Sequence, residues 1–188
     1  MKLCFRFGAM GASKTANALM TKHNYEEKGK TVLLMKPSID TRDGAVIVKS
    51  RVGLESNCYL VEDVLENLDN YLSNKPDCII VDEAQFLTEQ QVDTLASIVD
   101  KLDIPVLCYG LKTDFRSNLF DGSKRLLELA DEIEEIPTIC WCGRKARFNG
   151  RVIDDELVKS GETIFLGADE SYVALCRKHY FSNLIKEE

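Results

Sequence analysis

The sequence predicts an α/β chain: a mostly parallel sheet with helices on both faces, followed by a small lobe of different character. Three observations carry this. Short apolar runs alternate with helical stretches up to Pro137; a glycine-rich turn follows the first of them; and beyond Pro137 cysteines, glycines and short strand-like pieces replace the alternation. Strands alternating with helices form parallel sheets buried on both faces, and ligands of such sheets sit at the carboxyl ends of the strands. The expected organisation is a core over residues 1–137 and a lobe over 138–188.

Leu3–Phe7 reads as a buried strand. The next eight residues are Gly8, Ala9, Met10, Gly11, Ala12, Ser13, Lys14 and Thr15. They follow the phosphate-binding pattern G-x-x-x-x-G-K-[ST], except that Ser13 stands at the second glycine. In such a turn, successive backbone N–H groups and the N-terminus of the next helix face a polyphosphate. Lys14 reaches the β- and γ-phosphates, and the Thr15 hydroxyl serves Mg²⁺. A helix from Thr15, stopped near Gly29, and a buried strand at Thr31–Met35 complete the unit that this motif needs. Ser13 is expected to lie already within the helix, where its hydroxyl can face phosphate. The alternative, a left-handed backbone, costs about 1 kcal/mol or more.

Cys78–Val81 is a second buried strand, ending in Asp82-Glu83. An acid at that place helps to hold Mg²⁺, and its neighbour can take a proton from a hydroxyl or a water. The plain alternative is an acidic strand end. Thr88–Gln91 resembles a capping box. It opens a helix with Val92, Leu95, Ile98 and Val99 on one face. Ile104–Gly110 is another strand, with Pro105 at its entry. Ser123–Ala130 is a short helix with Leu126, Leu127 and Leu129 inward. In the lobe, Arg147–Ile153 and Thr163–Leu166 read as strands.

The chain has 188 residues, a net charge of −7 and seven cysteines. That length buries a core without disulfides. The acidic balance argues against a nucleic-acid-binding face. No apolar stretch approaches a membrane span, and the phosphate-loop motif begins too soon for a signal peptide, so the expected location is cytoplasmic. The cysteines are then thiols or metal ligands. Cys140-Trp-Cys142 and Cys176-Arg-Lys-His179 supply four N/S ligands in two close pairs, as a closed tetrahedral zinc site needs. The alternative is two buried thiols and a surface histidine. Cys4, Cys78 and Cys108 fall in apolar strands and read as core, Cys58 is undecided, and His23 reads as a solvated helix residue.

Together these segments resemble the type II thymidine kinases, the P-loop, zinc-bearing class. The resemblance runs nearly end to end. It is carried by Gly8–Thr15, Asp40-Thr-Arg42, Val81–Phe86, Tyr109–Phe115, Cys140–Ala146 and Leu166–His179. The C-x-C plus C-x-x-H variant resembles the enterobacterial branch. The resemblance implies a P-loop NTPase-type sheet and transfer of the ATP γ-phosphoryl to the 5′-hydroxyl of thymidine. Glu83 would be the general base. Asp82 and Thr15 would serve Mg²⁺, Lys14 and the loop would hold phosphate, and Arg42 and Gln85 would complete the ATP side. Leu111, Phe115 and Phe120 would line the base pocket, and Phe165, Leu166, Gly167 and Tyr172 would belong to a loop closing over the nucleoside. Zinc on Cys140, Cys142, Cys176 and His179 would be structural. A homotetramer and dTTP as feedback inhibitor are also implied, with no nucleic-acid or membrane partner.

Three other readings compete. A P-loop ATPase would use Glu83 to activate water. A family member silenced by Ser13 would bind nucleotide without turnover. A zinc-ribbon nucleic-acid binder is disfavoured by the acidic charge and the lack of a basic, aromatic-rich face.

Overall fold

The computed structural model describes residues 1–42, 44–161 and 172–186. Its elements in chain order are β1 (Leu3–Phe7), α1 (Lys14–Glu26), β2 (Val32–Lys36), β3 (Ile47–Lys49), β4 (Glu55–Asn57), β5 (Tyr59–Leu60), α2 (Val61–Glu66), α3 (Leu68–Leu72) and β6 (Cys78–Val81). A 3-10 turn at Ala84–Phe86 leads to α4 (Glu89–Leu102), β7 (Val106–Gly110), α5 (Asp121–Leu129) and β8 (Glu132–Glu135). The lobe adds β9 (Thr138–Ile139), β10 (Lys145–Ala146), β11 (Phe148–Ile153), β12 (Glu156–Val158), β13 (Tyr172–Leu175) and α6 (Arg177–Phe181).

Six strands form one sheet in the order β5-β2-β6-β7-β1-β8, and every neighbouring pair is parallel. The alternation of side chains along each strand divides the core in two. Leu3, Phe5, Ile79, Val81, Val106 and Cys108 pack on one face with α2, α4 and α5. Cys4, Cys78, Ile80, Leu107 and Tyr109 pack on the other with Ala18 and Leu19 of α1. Both faces are therefore apolar, which is why these strands read as continuous hydrophobic runs. Cys4, Cys78 and Cys108 are core residues as expected. Cys58 is buried beside Val48 on the α1 side, and His23 is exposed. Among the described residues no helix is long and apolar enough to cross a membrane.

The capping box is present: the Thr88 hydroxyl accepts from the Gln91 N–H at 3.2 Å, and the Gln91 side chain accepts from the Thr88 N–H at 2.9 Å. Val92, Leu95, Ile98 and Val99 are the buried face of α4. Helix α5 departs from the sequence reading. It starts two residues earlier, at Asp121, and Leu129 is 36% exposed rather than inward. The helix ends at Leu129 so that Asp131 can donate its N–H to Leu3 O and enter β8, and this turns the last leucine outward. The strand expected at Thr163–Leu166 lies outside the described residues.

The lobe is a separate small sheet, β12-β11-β13, beside the pair β10-β9. Its core is built on Cys140, Ala146, Leu175, Cys176 and Tyr180.

Helix α5 sits unusually close to the 3-10 turn. A Cβ on Gly122 would lie 2.6 Å from Leu87 O and 2.7 Å from Ala84 O. Both are backbone atoms, so the contact cannot relax by a rotamer change. Gly122→Ala is expected to destabilise the protein by about 1–3 kcal/mol, as overpacking does. Urea unfolding measures this, and an unchanged midpoint would refute the close approach.

Candidate active site

The parallel sheet delivers β1, β6 and β7 to one edge. Strand β7 lies between the other two, so with neighbouring strands about 4.8 Å apart the ends of β1 and β6 are roughly 10 Å apart. Gly8 leaves β1 with its N–H donating to Gly110 O at 3.3 Å. In the loop, Gly11 has φ 75° and Ser13 has φ 57° and ψ 31°. Helix α1 begins only at Lys14, and Ser13 makes no side-chain cap hydrogen bond. The expectation that Ser13 already belongs to the helix is thus corrected. The chain must turn left-handed to start the helix, a bend that the usual glycine makes freely and Ser13 makes at a cost. Lys14 Nζ donates to Ala9 O at 3.0 Å, across the loop. Burial pushes its ammonium pKa down, against the pull of Glu83 and Asp82.

Asp82, 4% exposed, directly follows β6. Burial raises its carboxyl pKa and the Glu83 charge adds to this, while a hydrogen bond from Thr15 works the other way. Glu83 follows in a left-handed conformation, φ 51°. Both of its oxygens are engaged: Oε1 by Arg42 Nη2, Oε2 by Gln85 Nε2. Arg42 Nε donates to Asp40 Oδ1 at 2.7 Å, and Asp40 Oδ2 is 3.4 Å from Lys36 Nζ. Lys36, 1% exposed, also donates to Gly44 O and Ile47 O, both at 2.8 Å. A continuous chain of charge therefore runs from Lys36 to Glu83. Burial opposes charge on Arg42, but Glu83 and Asp40 outweigh it and raise its pKa. Asp40 is likewise penalised by burial, yet Arg42 and Lys36 hold its pKa below the usual carboxylate value.

Gln85, 2% exposed, links this chain to β7. Its Oε1 accepts from the Leu111 N–H at 2.9 Å, and the Leu111 carbonyl accepts from the Ser123 hydroxyl of α5. The close contact depends on Gly110, where a Cβ would lie 2.7 Å from Gln85 Oε1. Leu111 is thereby fixed as a wall of the cleft.

The cleft has a volume of about 180 Å³. Of the residues expected from sequence, Met10, Gly11 and Ser13 line it from the loop, and Lys14, Thr15, Arg42, Glu83 and Gln85 form its polar end. Leu111, Phe115, Phe120 and Tyr172 line its apolar side, joined by Phe86, whose ring meets Phe120 edge-on at 5.7 Å. Gly8, Ala9, Ala12 and Asp82 are buried beneath it. Phe165, Leu166 and Gly167 lie outside the described residues. The structure adds residues that the sequence reading missed. Lys49, Ser50, Arg51 and Val52 bring the β3–β4 hairpin to the cleft, and Asp114 and Asn149 reach it from the segment after β7 and from β11. The Asp114 carboxylate is spent on its own turn, accepting from the Arg116 and Asn118 N–H groups. Asp114 lay within the Tyr109–Phe115 segment that carries the resemblance, and Asn149 left a trace as a polar residue in a strand, where asparagine is disfavoured.

Cys140, Cys142, Cys176 and His179 converge, with all ligand atoms within 4.8 Å of one another. Cys140 Sγ is 3.4 Å from His179 Nδ1, and Cys142 Sγ is 4.0 Å from Cys176 Sγ. A zinc tetrahedron with bonds of about 2.3 Å to sulfur has edges of about 3.8 Å, so the donor set fits that ion and is too wide for a disulfide. Burial opposes ionisation of the Cys176 thiol, but backbone N–H groups of His179 and Lys178 and the neighbouring thiols lower its pKa, favouring the thiolate that a metal needs. The cluster is linked to the cleft. The Tyr180 hydroxyl donates to Phe115 O at 2.6 Å, and β13 runs from Tyr172 to the residue before Cys176.

Ser13→Gly is expected to stabilise the protein by up to about 1 kcal/mol, since relief of left-handed strain exceeds the added chain entropy. ATP affinity should not fall. Chemical unfolding and calorimetric titration read the two, and a large loss of affinity would overturn this account of the loop.

The family described as thymidine kinase matches residues 1–180. Curated relatives with that name include proteins of Lactococcus lactis (48% identical, covering 96% of this chain and 97% of its own), Streptococcus gordonii (48%, 96% and 96%) and Enterococcus faecalis (49%, 96% and 94%). A solved structure, the replication initiator DnaA bound to AMPPCP and single-stranded DNA, aligns with 73% of this chain and 40% of its own at 16% identity and a TM-score of 0.46, too distant to bear on function. With a family match over nearly its whole length and relatives near half identity, the chain belongs to the thymidine kinase family.

Proposed function

We propose that the protein transfers the γ-phosphoryl group of ATP to the 5′-hydroxyl of thymidine. One observation carries this: Glu83 stands between a cationic and an apolar end of one cleft. It is bonded to Arg42 on one side and, through Gln85, to Leu111 on the other. The loop Gly8–Thr15 and Lys14 bind the phosphates. Phe86, Phe115 and Phe120 offer flat apolar contact to a base. Mg²⁺ bound with the nucleotide neutralises charge at the β- and γ-oxygens, and Thr15 and Asp82 are the residues that would hold it. Arg42 has a phosphate oxygen as an alternative to Glu83. A guanidinium drawn toward the transferring group frees the Glu83 carboxylate to accept the hydroxyl proton. Phosphoryl transfer asks mainly for positioning and charge neutralisation, which this set supplies.

Zinc on Cys140, Cys142, Cys176 and His179 is structural in this reading, because four protein ligands close the tetrahedron. Residues 138–188 then serve as a lobe that orders the nucleoside side against the kinase core of 1–137, with Phe165, Leu166, Gly167 and Tyr172 closing over the substrate. Family resemblance further supports a cytoplasmic homotetramer inhibited by dTTP.

With Mg-ATP, ADP release is expected to depend on thymidine, and Glu83→Gln should lower kcat by about 10²–10⁴-fold. ATP hydrolysis that ignores thymidine would favour the ATPase reading. Purified protein should carry about one zinc per chain. Trp141, the only tryptophan, stacks on His179 at 4.1 Å and 10°. Chelation should therefore shift its fluorescence and lower the melting temperature together. Unchanged emission in a metal-stripped sample would refute the assigned ligand set.

A further inference from the structure

Asn149 lies in the lobe, yet it touches the phosphate loop. Its Oδ1 accepts from the Met10 N–H at 2.8 Å, and its Nδ2 donates to Thr113 O at 2.9 Å. The residue is 3% exposed. It lines the main cleft and also a cavity of about 10 Å³ behind the loop, which Gly8, Ala9 and Thr113 share. Its own backbone is held in β11 opposite Ala174 of β13, two residues before Cys176. One carboxamide thus bridges three segments that are far apart in sequence. Met10 lies between the strand exit at Gly8 and the left-handed turn at Gly11, in a stretch that belongs to neither strand nor helix.

We propose that Asn149 is a positioning residue for the triphosphate, setting the loop through the Met10 N–H from the metal-bearing lobe. The proposal rests on the reading of the cleft as an ATP site. A carboxamide suits the task because it offers one acceptor and one donor in a fixed plane. Alanine offers neither and opens the wall between cleft and rear cavity. A protonated aspartic acid is its isostere: the carbonyl accepts from Met10 and the hydroxyl donates to Thr113 O. The ionised form places negative charge against that carbonyl.

The test compares wild type, Asn149→Ala and Asn149→Asp, with the zinc content of each measured. Calorimetry gives the Kd for Mg-ATP, and steady-state kinetics gives KM for ATP and for thymidine. Asn149→Ala should weaken ATP by about tenfold, with KM for thymidine changed by less than about twofold. For Asn149→Asp, the ATP Kd relative to wild type should fall as pH is lowered from about 8 to about 6, because burial raises a carboxylic acid into that range. That ratio should stay flat for Asn149→Ala. If the alanine variant fails to fold, the pH course of the aspartate variant decides. Unaltered ATP binding, an equal rise in both KM values, or a pH-independent aspartate variant each overturns the proposal. Wild-type protein that binds no ATP overturns the reading of the cleft and this proposal with it. Wild type that binds ATP, beside an alanine variant that binds it as well, overturns the proposal alone.

Discussion

The parallel register of β1, β7 and β6 is the constraint from which the site follows. Val106 pairs with Leu3 on one side and with Ile79 on the other, so the three strands run in step: Phe7 is level with Gly110, and Val81 with Cys108, two residues earlier. Gly8, Asp82 and Leu111 then emerge at one edge, although the chain visits them in three separate passes. No local preference places a lysine loop, a carboxylate pair and an apolar wall side by side. The ladder does so, and it holds because both faces of the sheet are packed.

On that edge the charges are arranged to keep one another in place. Lys36, Asp40 and Asp82 are almost fully buried, and a buried charge without a partner is expensive. Lys36 and Asp40 have each other, with Arg42 beside Asp40, whereas Asp82 has the Thr15 hydroxyl and the nearby Lys14 and still keeps a raised pKa. The chain from Lys36 to Glu83 is paired at each step, and its outermost members, Arg42 and Glu83, are the ones open to the cleft. Removing an inner member would strand a charge, whereas the outer pair can exchange partners with an incoming phosphate.

Two left-handed residues fall at the same edge. Ser13 and Glu83 are both left-handed without being glycine, Ser13 immediately before the start of α1 and Glu83 just past the end of β6. Such conformations persist only where surrounding contacts determine them. For Glu83 those contacts are Arg42 and Gln85. For Ser13 they are the helix that starts at the next residue and the loop closed by Lys14 on Ala9.

The sequence by itself determined the elements whose signals are local. Cys78–Val81 was legible to the residue because four apolar residues are bounded by acids, and α4 because Thr88 and Gln91 cap each other. The cysteine–histidine set was legible because its ligands come in close pairs. What only the tertiary structure decided depends on distant neighbours. The conformation of Ser13 follows from the direction in which α1 must leave the sheet, and the outward turn of Leu129 from the entry of β8. The burial of Lys36 follows from the loop that folds over it, and the place of Asn149 from the docking of the lobe against the loop. A sequence window sees side-chain periodicity, but not which of two polar groups far apart in the chain will share a hydrogen bond.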